Sequence, residues 1–278
     1  MNILKLIESF TNEGFIKNLN EKSNRRDSFN QFGKVGANAA MAALPLGMAA
    51  LFSQKANAAN SAYATTSADS ATSALQLALI LEYLEDEFYA TALDTAGLIP
   101  AADQAIIAQI SQHEAAHVNF LMSALGANAP AKPTFDFTVG GAFDTFSNYE
   151  TFLALSQAFE DTGVRAYKGQ AGNLMGNGDL LTAALQIHSV EARHASQIRR
   201  LRGLKGWITG NTRGAGMPEQ TQGVYDGEEN TTHGGVNITM YTATAGNPAF
   251  GSGSYTESFD EPMTGETATS IASLFIVS

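Results

Sequence analysis

Two Glu-x-x-His pairs stand 77 residues apart in this chain, Glu114-Ala115-Ala116-His117 and Glu191-Ala192-Arg193-His194. Residues three apart on a helix share a face about one turn apart, so each pair presents a carboxylate and an imidazole together. A lone glutamate precedes each pair, Glu82 by 32 positions and Glu160 by 31. Seven places beyond each lone glutamate stands a tyrosine, Tyr89 and Tyr167. Seven residues are about two helical turns, which keeps each tyrosine on the face of its glutamate. The unit Glu-x6-Tyr followed by Glu-x-x-His therefore occurs twice. Four carboxylates and two imidazoles pointing inward from four helices could hold two metal ions, four negative ligands balancing two divalent cations. Unpaired carboxylates in a bundle core would otherwise be costly. A donor set rich in carboxylate and poor in histidine favours iron or manganese, with zinc less favoured. Such a pair of ions suits O2 or peroxide chemistry: Fe(II) oxidation, peroxide reduction, or catalase-like disproportionation with manganese. Tyr89 and Tyr167 either donate hydrogen bonds to the ligand carboxylates or fill the core as aromatics. Residues that would touch a substrate are not readable from the sequence.

Four helices must position these groups. The first is predicted from about Asp69, a good cap residue, to Ala96, stopped by Gly97 and Pro100, with Glu82 and Tyr89 on its inner face. Glu85, Asp86 and Glu87 crowd the same turn and mostly face solvent as charge runs do; Glu85 rivals Glu82 as a ligand, but the spacing to Tyr89 favours Glu82. The second helix runs from about Ala101 to Leu125 and carries Glu114 and His117. Residues 128–148 hold Pro130, Pro133, Gly140 and Gly141, and the alternation of Phe135, Phe137 and Val139 suggests an extended piece. The third helix, about Tyr149 to Gln170, carries Glu160 and Tyr167. After the turn Gly172–Gly178, the fourth runs from about Asp179 to Leu204. After Trp207 the chain turns rich in Gly, Thr, Ser and Asn. One strand is expected at Val236–Thr242, then a short final helix capped by Thr264 with Ile271, Leu274 and Phe275 on its apolar face.

A glutamate from each of two helices plus Glu-x-x-His from each of the other two is the ligand plan of the ferritin-like dinuclear carboxylate proteins. The sequence resembles that superfamily at Glu82, Glu114, His117, Glu160, Glu191 and His194. It resembles most closely the secreted ferritin-like domain proteins that include the desiccation-related proteins. The stretches LEYLEDEFY (81–89), SQHEAAHVNFL (111–121), QAFEDTGVRAY (157–167) and VEARHASQIR (190–199) carry this closer resemblance, which extends to YDGEENTTHGGVN (225–237) and FDEPMT (259–264). The resemblance implies an all-α core, a ferritin-like four-helix bundle with its long crossover between helices 2 and 3, followed by an irregular tail. It implies a dinuclear site and a role in oxidative or desiccation stress, but no particular reaction. Rubrerythrins resemble this ligand plan too, yet usually carry an extra glutamate where this chain has Gly163. Lacking cysteine, the chain holds no rubredoxin-type iron either. Ferritin cages share only the bundle, and the long tail would alter their packing.

Two other classes compete. In one, the protein is structural or stress-protective and its site vestigial. In the other, His113-Glu114-Ala115-Ala116-His117 is the zinc-peptidase motif, with His113 and His117 as ligands and Glu114 as base; the second Glu-x-x-His would then have no purpose. His188 reads as a non-ligand histidine. Arg165 and Arg193 are candidates to pair with buried carboxylates.

The chain has 278 residues, no cysteine and a net charge of −11, and residues 59–278 hold 9 basic against 23 acidic side chains. An acidic body argues against nucleic acid and anionic membrane as partners. Residues 1–58 are expected to be a leader, beginning with a short amphipathic helix. Arg25-Arg26, the weakly apolar run Val35–Phe52 and the small residues Ala56-Asn57-Ala58 resemble a twin-arginine export signal. A spanning helix is the rival for that run, so membrane contact is expected through the leader alone. Residues 59–68 then form a polar linker, 69–206 the bundle and 207–278 an extension wrapping it. A homodimer is the expected assembly.

Overall fold

The computed structural model describes residues 46–240 and 253–277, with side chains from Ser70 onward except that of Met240. The chain divides into two compact units, residues 1–63 and 64–278. Everything that positions the site lies in the second. Arg25-Arg26, the amphipathic stretch before them and the start of the apolar run lie outside the described residues. No helix among the described residues is long and apolar enough to cross a membrane.

Among the described residues five α-helices carry the fold: α1 (Leu46–Asp94), α2 (Gln104–Leu125), α3 (Tyr149–Gln170), α4 (Gly178–Leu201) and the short α5 (Gly265–Ser273). The core is all-α, and the order of elements follows the expected bundle, with the 23 residues between α2 and α3 as its long connection. Helix α1 begins well before Asp69, and the backbone of 59–68 is helix where a loop was expected. The reason is composition: after Gly47 the helix holds neither glycine nor proline and is rich in alanine, the strongest helix former. Side chains cap three of the later helices, among them the expected cap Thr264. Asn148 accepts hydrogen bonds from the amides of Glu150 and Thr151, Asn177 accepts from Leu180 and Thr264 from Thr267, each satisfying amides that a helix start leaves free.

Helix α3 is the centre of the bundle, with every residue from Phe152 to Tyr167 buried. Phe88 of α1 stacks on Phe152 at 5.0 Å between ring centroids and meets Phe159 edge-on at 4.9 Å. The connection between α2 and α3 adds Phe137 to this cluster, 5.2 Å from Phe88, and the chain just after α5 adds Phe275, 4.9 Å from Phe159. Phe135 and Ile276 form an isolated antiparallel bridge. The extended piece is therefore real but short: Val139 has φ +50°, beyond a turn held by the Asp136 carboxylate, which accepts from the amides of Thr138 and Gly140. The strand expected at 236–242 is cut down to a two-residue hairpin, Thr232–His233 against Val236–Asn237, followed by a turn of 3-10 helix at Ile238–Met240. Alternation alone did not make a strand there, because no partner runs beside it beyond Asn237 among the described residues, which exclude 241–252.

The residues after 207 grip α3 and α4. Arg165 makes a buried ion pair with Glu228 at 2.7 Å and donates to the carbonyls of Val224, Asp226 and Glu261. Its own carbonyl accepts from Met263. Gly169 allows this approach, since a Cβ there would stand 1.8 Å from the Met263 carbonyl oxygen. Nearby, Asp161 takes Arg199 and the Tyr225 hydroxyl as donors. Replacing Arg165 with alanine would leave Glu228 as an uncompensated buried charge, so Arg165→Ala is expected to cost about 3–5 kcal/mol, read as a lower denaturant midpoint. An unchanged midpoint would show that this pair does not hold the tail. Arg193, the other arginine expected to pair, is exposed.

Candidate metal centre

Each helix delivers its part of the constellation to one place. Glu82, Glu114, Glu160 and Glu191 are all 0% exposed, with His117 and His194 at 9% and 4%. The atoms that could hold a metal ion form two overlapping groups, each with its ligand atoms within 4.8 Å of one another. One is Glu82, Glu114, His117 and Glu191; the other is Glu114, Glu160, Glu191 and His194. Glu114 and Glu191 belong to both. The Nδ1 of His117 faces three carboxylates, at 3.2 Å from Glu82, 3.0 Å from Glu114 and 3.1 Å from Glu191. The Nδ1 of His194 likewise faces Glu114 at 2.8 Å, Glu160 at 3.2 Å and Glu191 at 3.9 Å. The 2.8 Å approach is close but misdirected, for neither His194 Nδ1 nor Glu114 Oε1 has a hydrogen-bond partner.

The tyrosines donate, but across the bundle. Tyr89 on α1 bonds Glu160 on α3 at 2.5 Å, and Tyr167 on α3 bonds Glu82 on α1 at 2.5 Å. Each therefore serves the glutamate of the other repeat. Both hydroxyls are held well above their ordinary pKa, by burial first and then by the charge of Glu160 for Tyr89 and of Glu82 for Tyr167. They stay protonated and act as donors.

Bringing these carboxylates together has an electrostatic consequence. Burial, then the charge of Glu191, pushes Glu114 up to about 7. Burial, then the charge of Glu82, pushes Glu191 up to about 8. Burial opposes the charged form of both imidazoles, but it is overcome: the adjacent carboxylates of Glu114, Glu191 and Glu82 raise His117, and Glu160 and Glu114 raise His194 to about 11. Protons thus compensate part of the negative charge. They do not complete the hydrogen bonding: Glu114 Oε1, Glu160 Oε2 and both oxygens of Glu191 remain buried without a partner. Buried polar atoms are seldom left so, and oxygens converging on imidazole Nδ1 atoms are what a pair of hard cations would satisfy. The residues fit that group.

His113, the extra histidine of the peptidase motif, belongs to neither group. Its Nδ1 lies 2.9 Å from the Nε2 of His194, the face turned away from the carboxylates, and the two rings stack at 5.2 Å. Both rings line a cavity of about 470 Å³ between α2 and α4, with Ile106, Gln109, Arg193 and Gln197. The cavity is a route from solvent to the back of His194. The peptidase geometry is thereby corrected: Glu114 points into the four-carboxylate cluster and His113 out of it. His188, as expected of a non-ligand, bonds the Val164 carbonyl at 2.9 Å. Glu85, the rival to Glu82 in the acidic run, is 2% exposed, because it follows Glu82 by one turn on the inner face. That i, i+3 spacing was the available signal.

A comparison with the curated proteins found no match. Residues 70–204 match the family model described as a ferritin-like domain. That stretch takes in the described part of α1 from Ser70 and all of α2, α3 and α4, with all six converging ligand candidates, and the match supports placing it in the ferritin-like superfamily.

Proposed function

We propose that this protein binds two metal ions, iron or manganese, through Glu82, Glu114, His117, Glu160, Glu191 and His194, and acts on O2 or peroxide. The observation that carries this reading is the convergence of each imidazole Nδ1 on three carboxylates among buried oxygens that lack hydrogen bonds. The ions would supply redox chemistry, as hard oxygen ligands suit iron and manganese. The chain does the rest. Tyr89 and Tyr167 fix the two outer carboxylates, the aromatic cluster around Phe88 keeps water from one side, and the cavity behind His194 brings solvent only to the far edge of that ring. The stretches shared with desiccation-related proteins support a stress role, and Arg25-Arg26 with Ala56-Asn57-Ala58 supports export by the twin-arginine route. A homodimer is the assembly to test by light scattering.

The first experiment is metal content of protein taken from its native compartment, by elemental mass spectrometry. About two iron or manganese ions per chain are expected, as the ligand plan requires. His113→Ala should keep both ions, whereas His194→Ala should lose about one. A chain that takes up neither iron nor manganese is a structural protein with a self-neutralised acidic core, and the proposal fails. One zinc ion lost with His113→Ala but not with His194→Ala would restore the peptidase reading.

A further inference from the structure

The two repeats match at Glu82 and Glu160, Tyr89 and Tyr167, Glu114 and Glu191, His117 and His194, but they differ at one inward position. Three residues after Glu82 stands Glu85; three residues after Glu160 stands Gly163. Glu85 is buried, and it reaches into the space that Gly163 leaves. A Cβ built on Gly163 would lie 3.4 Å from Glu85 Oε1 and 3.3 Å from Glu191 Oε2. Both oxygens therefore border the same gap, and neither oxygen of Glu191 has a hydrogen-bond partner. Burial holds Glu85 well above the ordinary carboxylate range, followed in effect by the charges of Glu191, Glu160, Glu82 and Glu114. It belongs electrostatically to the cluster, although it lies outside both tight groups of ligand atoms.

Resting on the dinuclear reading above, we propose that Glu85 is a seventh metal-binding residue, a carboxylate beside the shared Glu191 that has no counterpart in the second repeat and so makes the two metal positions unequal. An apolar residue would fill a bundle core at this place with less cost, and an unpaired buried carboxylate is expensive. A cation beside Glu191 compensates it. Because the matching place on α3 is glycine, only one of the two positions gains this fifth carboxylate, and the two ions bind with different strengths.

The test is Mn(II) titration of the metal-free full chain, by calorimetry and by electron paramagnetic resonance, for the natural protein, Glu85→Gln and the control Glu87→Gln. Glu87 is partly exposed and pairs with Lys132 at 3.1 Å. The natural protein should bind two ions with distinct affinities. Glu85→Gln should weaken one of them on the order of tenfold or more, since losing even an outer hydrogen-bond partner costs about 10- to 100-fold. Glu87→Gln should bind as the natural protein does. Metal-free Glu85→Gln should also unfold at a higher temperature than the metal-free natural protein, having lost a buried acid, and a purely structural Glu85 would give the opposite. If the natural protein binds two ions and Glu85→Gln binds them unchanged, or if Glu87→Gln weakens binding equally, Glu85 is no ligand. If the natural protein binds none, the dinuclear reading itself fails and this one with it.

Discussion

Glu191→Ala is expected to abolish binding at both metal positions at once. Glu191 shares with Glu114 a place in both groups of converging ligand atoms, and both of its oxygens are buried and free of hydrogen bonds. Its loss removes a ligand from each position and one of the charges that draw the second ion. Removing an outer partner alone typically lowers affinity about 10- to 100-fold, and a shared inner ligand should cost more than that at each position. The metal-to-chain ratio should fall from about two to near zero. Glu82→Ala, which touches only the group around His117, should leave about one ion. Helical content by circular dichroism should persist in both, because the fold rests on the aromatic cluster and on the tail that Arg165 holds. If Glu191→Ala still carried both ions, the carboxylates would not be their ligands.

The second large effect is a stability that falls with rising pH in the metal-free protein and falls less steeply, or rises, when metal is bound. Glu114 and Glu191 have folded-state pKa values of about 7 and about 8, raised by burial and by neighbouring charge from the ordinary 4.5. Between pH 4.5 and 8 the folded state therefore keeps protons that the unfolded chain has released, and stability falls as pH rises. His194 is raised from 6.5 to about 11, and His117 is raised as well. Their contribution is complete below pH 6.5 and is lost on the way up through the folded values, so it acts in the same direction. The metal-free protein should lose several kcal/mol between about pH 5 and 9, given about 1.4 kcal/mol for each tenfold difference in proton affinity between the folded and unfolded chain. Metal competes with those same protons, so affinity rises with pH. At a hundredfold excess over Kd each ion adds about 2.7 kcal/mol, and the loaded protein should gain on the metal-free one from pH 6 to 8. Urea unfolding at pH 5, 7 and 9, with chelator and with Mn(II), measures both slopes. Parallel slopes would separate the acidic cluster from metal binding.

The six converging residues could be found in the sequence because their information is local. Three and seven are helical spacings, and the repetition of the whole unit makes coincidence a poor account. The expected ends of α3 match the structure because Asn148 is a strong cap. Glu85 was legible only as a rival to Glu82, since Glu85-Asp86-Glu87 looks like a solvated run, and the packing of α1 against Gly163 shows that both glutamates turn inward. The link from Arg165 to Glu228 spans 63 positions, with no periodicity to announce it. The early start of α1 was hidden by Asn, Ser and Thr, weak helix formers that stand here between alanines. Alternation misled at Ile238–Met240, which form a turn of 3-10 helix, because a strand also needs a neighbour and sequence does not state one.

The crossed tyrosine bonds bear on how such a chain could arise. Neither helical pair can satisfy itself: Tyr89 reaches the glutamate of the later pair, and Tyr167 that of the earlier one. Half of this bundle, expressed alone, would bury a tyrosine hydroxyl and a carboxylate that do not find each other. Two identical halves, however, would complete one another by symmetry, with every crossed bond made twice. A duplicated and fused hairpin inherits that mutual dependence in a single chain. Once fused, its two copies are free to diverge, and Glu85 opposite Gly163 is a difference that a symmetric pair of identical halves could not contain.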